Sequence, residues 1–168
     1  MTPSPRIDNG LTGYYPGVIG QLTTLHAVYY HTHWGFDRSF ETQVGRELSD
    51  FMARFQPQRD GFWAIAPRRT LAGAVAIDGR LRESEGARLR WFIVDPDGRK
   101  QGFGRLLLGR AVQFCRAAGC RRVFLWTFEG LQAARRLYEK TGFRLTEEHR
   151  LDQWGQQINE QRFDLALG

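Results

Sequence analysis

Between Val94 and Arg105 the chain reads Val-Asp-Pro-Asp-Gly-Arg-Lys-Gln-Gly-Phe-Gly-Arg. Pro96 pushes Asp95 toward extended geometry, so a strand leaves directly into a loop. That loop is basic and contains glycine, and an apolar helical repeat follows it. A helix N-terminus carries unpaired N–H groups and a partial positive charge, which suits it to hold phosphate. Gly102 and Gly104 leave the backbone open to such an anion, and Arg99, Lys100 and Arg105 add positive charge. The same glycines would serve a helix start that needs close packing. Two nucleotide-binding loops are excluded. No Gly-Lys-Ser/Thr follows the glycines, and Leu107 stands where the dinucleotide pattern Gly-x-Gly-x-x-Gly needs its third glycine.

The segment resembles the acyl-CoA-binding motif of the GNAT acetyltransferases, Arg/Gln-x-x-Gly-x-Gly/Ala after a Val-x-Pro strand end. Arg99-Lys100-Gln101-Gly102-Phe103-Gly104 meets each position, and Val94-Asp95-Pro96 lies upstream. A second signature of that family, a helix ending Tyr-x-x-x-Gly-Phe, is matched by Tyr138-Glu139-Lys140-Thr141-Gly142-Phe143. The resemblance runs from Pro16 to Leu167. His26, Tyr30, Gly35 and Phe40-Glu41 look most like acetyltransferase domains that elsewhere are fused to MarR-type regulators.

This resemblance implies an α/β (α+β) fold with a splayed, mixed central sheet of about seven strands and about four helices. It implies acetyl-CoA as cosubstrate and transfer of its acetyl group to a primary amine by direct attack in a ternary complex. Phe92, Ile93 and Val94 would run beside the pantetheine arm. Arg99, Lys100, Gln101, Gly102, Phe103, Gly104 and Arg105 would hold the pyrophosphate, and Phe128 and Ala134 would also contact the cofactor. Phe128 departs from the family, many of whose members carry an asparagine there. Tyr138 would protonate the departing thiolate, since a phenol and a thiol of similar basicity can share a proton. By spacing alone Tyr138 reads rather as a core tyrosine beside Ala134 on a buried helix face.

The base is less defined. Many relatives place a glutamate early on the strand that ends at Val94, where this chain has Arg88 and Arg90. Glu85, Glu129 or a chain of waters would take its place. Tyr30, Trp34, Arg90 and Trp154 would shape the acceptor pocket. Strict alternation puts Arg88, Arg90, Phe92 and Val94 on one face. Two cations there would favour a small molecule or peptide whose amine is accompanied by an acidic group, over a polyamine. A catalytically inactive acyl-CoA-binding sensor on the same fold is the alternative reading, which thioester turnover with amines would separate from an enzyme. The family leaves room for a homodimer.

The elements that must position these residues follow from the pattern. Val18 to Leu22 reads as a short strand, and Thr23 or Thr24 caps a helix to about His33 with Leu25, Val28 and Tyr29 on its apolar side. Asp37 caps a second helix bearing Phe40, Val44, Leu48, Phe51 and Phe55 at helical spacing. Strands are expected at 61–66, 71–77, 88–94, 123–127, 143–148 and 161–167, with helices from Phe103 to Gly119 and from Leu131 to Gly142. Residues 1–15 read as a flexible polar leader and 16–168 as one catalytic domain.

The 168 residues suit a single domain, and 42% hydrophobic with 25% charged residues is ordinary for a globular one. No apolar run is long enough to span a membrane. Cys115 and Cys120 lie close in sequence without a disulfide framework, and no apolar signal core opens the chain, so the protein is read as cytoplasmic. The net charge of +6 favours anionic partners, yet no nucleic-acid-binding motif accompanies it. No cluster of His, Cys or carboxylates has ligand spacing, so no metal is expected.

Overall fold

The computed structural model describes residues 10–168. Residues 1–9 of the expected leader lie outside the described residues, as does the side chain of Lys100. Seven strands, β1 (Leu11–Thr12), β2 (Gly61–Ile65), β3 (Gly73–Asp78), β4 (Ala87–Val94), β5 (Arg122–Phe128), β6 (Arg144–Gln153) and β7 (Gln156–Ala166), form one sheet in the order β1-β2-β3-β4-β5-β7-β6. Four helices flank it: α1 (Val18–Trp34), α2 (Arg38–Ala53), α3 (Phe103–Ala117) and α4 (Gln132–Thr141). On one face α1 and α2 bury Leu22, Phe36, Leu48 and Phe51, and on the other α3 and α4 bury Leu107, Leu108, Phe143 and Phe163. The mixed seven-stranded sheet with four helices is the fold the acyl-CoA motif implies.

Three boundaries differ from the sequence expectation. The strand expected at 18–22 is the first turn of α1, which starts after Gly17 in the left-handed region at φ 99°. The buried stripe of this helix is Val18, Leu22, His26 and Tyr30 rather than Leu25, Val28 and Tyr29, and Val28 is 60% exposed. Apolar residues lie all around α1, so their spacing does not select a face. The leader ends earlier than residue 15, because Leu11 and Thr12 pair with Ile65 and Ala64 and Tyr15 is buried. The last two strands are longer than expected and meet at a two-residue turn, Trp154 (φ 54°) and Gly155 (φ 78°). Positive φ at both positions matches the right-handed twist of the flanking strands.

Two irregularities in β4 create the site. Opposite β3, Ala74 pairs with Ile93 and Ala76 with Arg90, so Trp91 and Phe92 together oppose Val75. Trp91 sits at φ 47°. This bulge breaks the alternation. Arg90 reaches Glu47 of α2, whereas Phe92 and Val94 pack toward α3 and α4. The four residues expected on one face are therefore divided between two. On the other edge, β4 pairs in parallel with β5 only at Ala87↔Val123 and Arg88↔Phe124. Beyond them the strands part.

Asp60 locks α2 to this part of the sheet. It is 1% exposed and accepts from the amides of Gln56 (3.0 Å) and Gly79 (2.9 Å) and from Arg59 Nε and Nη2 (3.1 and 3.0 Å). Asp60→Ala orphans these donors and is expected to destabilise the fold by about 3–5 kcal/mol. Urea unfolding, at unchanged m-value, is the measurement.

Candidate active site

The parting of β4 and β5 opens a cavity of about 730 Å³ that reaches both faces of the sheet, within the size range of small-molecule sites. Along β4, Phe92, Ile93 and Val94 line it. Past Arg88 this strand has no ladder partner on the β5 side, so its edge is open to an extended ligand.

At one end stands the N-terminus of α3. Gly102 precedes it at φ 77° and provides no side-chain cap. A Cβ on Gly102 would meet nothing within 4 Å, whereas one on Gly104 would press on Leu137 Cδ1 at 3.0 Å. The two glycines therefore have different roles: Gly102 provides the left-handed turn and open approach, and Gly104 lets α3 close on α4. Arg99 and Arg105 line the cavity beside this terminus, Arg99 lying 5.0 Å above the Tyr29 ring. Uncapped amides with two guanidinium groups form an anion-binding end. Gln101 is exposed, and Phe103 is a core residue packed on Gly98. Neither side chain lines the cavity.

Tyr138 and Ala134 present α4 to the cavity. Tyr138 is 5% exposed and lies 5.9 Å from the rings of both Phe92 and Phe143. No hydrogen bond holds its hydroxyl among the described residues. Burial, reinforced by Tyr30, pushes this phenol well above the usual tyrosine range, so it keeps its proton at neutral pH. Core packing and cavity access, alternatives by sequence, hold together here.

The other wall is aromatic. Phe128 meets Tyr30 and Trp34 edge-on at 5.6 and 5.0 Å. Trp154 packs on Phe36 and Phe40 at 4.9 and 5.0 Å while its indole N–H donates to Gln43 Oε1 at 2.8 Å. His26 is buried. Its Nδ1 lies 2.9 Å from the Leu22 carbonyl, and burial pushes its pKa down to about 4. It faces the cavity as a neutral imidazole.

The charged groups are rearranged relative to expectation. Glu85 and Glu129 are both exposed and do not line the cavity. Glu85 lies 3.9 Å from Arg162, and Glu129 accepts from Asn159 at 3.3 Å. The carboxylates that do line it are Glu47 of α2 and Glu160 of β7. Glu47 is bound to Arg90 at 2.6 Å, and Arg90 also approaches Asp78 at 3.7 Å. Burial and the neighbouring Arg88 charge hold the Arg90 guanidinium down to about 10, still protonated at neutral pH. Glu160 is half-buried opposite Phe128 and makes no side-chain hydrogen bond or ion pair among the described residues. Helical spacing places Glu47 one turn beyond Val44, and strand alternation places Glu160 two residues beyond Ile158. Those were the only signals in the sequence. No group of three or more metal-ligating side chains occurs among the described residues, and none of the helices is long and apolar enough to cross a membrane.

Residues 24–143 match the model of the acetyltransferase (GNAT) family, and the chain belongs to that family, whose members use acetyl-CoA. Among curated proteins it is similar to an uncharacterized N-acetyltransferase of Methanocaldococcus jannaschii, 27% identical over 120 residues. That match covers 69% of this chain, and the chain spans about half (53%) the length of the relative. The fold is shared with a GNAT-family acetyltransferase of Staphylococcus aureus, at TM-score 0.74 and 16% identity over 94% of this chain and 98% of the other. It is also shared with YncA from Salmonella typhimurium, a structure with its cofactor acetyl-CoA, at TM-score 0.73 and 18% identity over 94% and 93% of the two chains.

Proposed function

We propose that the protein is a cytoplasmic N-acetyltransferase, its catalytic domain extending to residue 168, that moves the acetyl group of acetyl-CoA to a primary amine on a small molecule or peptide. The observation that carries this reading is the meeting of three features in one cavity: the open edge of β4, the uncapped N-terminus of α3 with Arg99 and Arg105, and the buried phenol of Tyr138. The residues present fit acetyl-CoA, because Gly102 leaves room for phosphate at unpaired amides and the β4 edge offers backbone groups to an amide-bearing arm. Acetyl-CoA supplies an acetyl group held on sulfur, which an amine takes by direct attack as the thiolate departs. Tyr138 gives its proton to the sulfur. Glu160, unpaired and facing the cavity, takes the proton that the nitrogen loses, directly or through water. Glu47 is less available for this, being bound to Arg90. The likeness of His26, Tyr30, Gly35 and Phe40-Glu41 to acetyltransferase domains fused to MarR-type regulators is part of the proposal; His26, Tyr30 and Phe40 of this set line the cavity.

Acetyl-CoA at about 100 times its Kd is expected to raise Tm by about 5–10 °C. Arg99→Ala with Arg105→Ala should raise that Kd by about tenfold or more by removing two phosphate contacts. An unchanged shift in the double variant would place the cofactor elsewhere. Release of free thiol in the presence of amines then tests catalysis. Cofactor binding without turnover on a broad amine panel would make the protein an acyl-CoA sensor.

A further inference from the structure

Two arginines stand side by side on β4, and the structure treats them differently. Arg90 is answered by Glu47 at 2.6 Å and Asp78 at 3.7 Å, and it lies 4.2 Å above the Trp91 ring. Arg88 has no such answer among the described residues. Its Nε is shielded from solvent and has no hydrogen-bond partner, and no ion pair to it exists among the described residues. Glu47, Asp78, Glu160 and Glu85 influence it only through space, and burial still lowers its pKa. Arg88 lines the cavity on the face shared with Glu160.

An arginine whose Nε is shut off from water with no acceptor carries a desolvation cost. It is also pre-organised, since the guanidinium accepts a carboxylate through two parallel hydrogen bonds that outweigh what water offers. Away from the Arg99–Arg105 end, the cavity thus holds a cation in Arg88 and, toward β7, a carboxylate in Glu160, neither with a side-chain partner among the described residues. The pair is complementary to a molecule with a carboxylate at one end and an amine at the other. The geometry points to an amino carboxylate as acceptor, with Arg88 binding its carboxylate while its amine lies toward Glu160 and the acyl donor. The inference rests on the acetyltransferase reading only for the fate of the amine. Arg90, which sequence reasoning assigned to the acceptor, is a positioning residue that holds β4 to α2.

The test uses matched triplets: L-amino acids with varied side chains, their amides, and the amines left by removal of the carboxylate, with spermidine as a polycation. Thiol release from acetyl-CoA gives kcat/KM, and Tm of the CoA-loaded protein reports acceptor binding without chemistry. Wild type is expected to favour the carboxylate over its amide by about 10- to 100-fold. Arg88→Gln should erase that preference while leaving the Tm shift with CoA intact. Arg88→Lys, which keeps the charge and loses the fork, should restore part of it. Arg88 has no partner to lose, so Arg88→Gln should fold at undiminished Tm. Equal or better use of amides or spermidine would overturn the inference, as would an Arg88→Gln enzyme with unaltered ranking. If no amine is acetylated but carboxylates still raise Tm in wild type and not in Arg88→Gln, the acetyltransferase reading falls and the Arg88 site stands. Flat Tm responses to every compound, with no turnover, remove both.

Discussion

Tyr138→Phe is expected to lower kcat by about 10²–10³-fold with the Kd for acetyl-CoA nearly unchanged. The ring of Tyr138 packs with Phe92, Phe143 and Phe163, so phenylalanine keeps the volume and the aromatic contacts. Its hydroxyl has no hydrogen bond to lose among the described residues, and Tm should stay within a degree or two of wild type. What disappears is the one proton donor that α4 presents to the cavity. Without it the thiolate must leave unprotonated or take a proton from water. Burial raises this phenol, so the wild-type kcat/KM should show no loss from its ionisation below about pH 10. Steady-state kinetics with a thiol reagent, beside thermal unfolding, measures both halves. Unaltered turnover would return Tyr138 to a purely structural place in the core.

Glu160→Gln should reduce kcat/KM for the amine by about 10²-fold at neutral pH. The substitution keeps the shape and removes only the capacity to take a proton. Glu160 makes no side-chain bond among the described residues, so little stability is at stake. The deficit should narrow as pH rises past the acceptor amine's own pKa, about 8 for a peptide's α-amino group and higher for a free amino acid, because the nucleophile is then already neutral. A side chain that merely positions the substrate would give a deficit independent of pH. Glu47→Gln makes the contrast. It breaks the 2.6 Å contact with Arg90, so Tm should fall along with activity, whereas Glu160→Gln should leave Tm in place.

Much of the fold was legible because its signals are local. Asp37 accepts from the Ser39 amide at 2.9 Å as the cap of α2, and Phe40, Val44, Leu48 and Phe51 form its buried stripe, as spacing indicates. Gly142 closes α4 in the left-handed region at φ 111°. The start of α1 was misread because Val18 and Ile19 favour strands locally, while a helix there buries Val18 and Leu22 against the sheet. Tertiary burial overrides a weak propensity of this kind.

The sequence by itself determined the family and pointed to the cofactor end of the proposed site. Those depend on a short contiguous stretch, Val94 to Gly104, and on the Tyr138–Phe143 signature, where neighbours in the chain are neighbours in space. The tertiary structure alone decided the charge pattern at the proposed acceptor end. A bulge at Trp91, invisible to strict alternation, turned Phe92 and Val94 away from Arg88 and Arg90. Pairing in the folded chain then satisfied Arg90 through Glu47 and Asp78 and left Arg88 and Glu160 without side-chain partners among the described residues. Which charge is answered and which is left open depends on contacts between α2, β3 and β4, with Glu47 and Asp78 lying 43 and 12 positions from Arg90 in the chain. No local pattern encodes such a choice, because the energy of a buried charge is set by what the fold brings within hydrogen-bond distance of it.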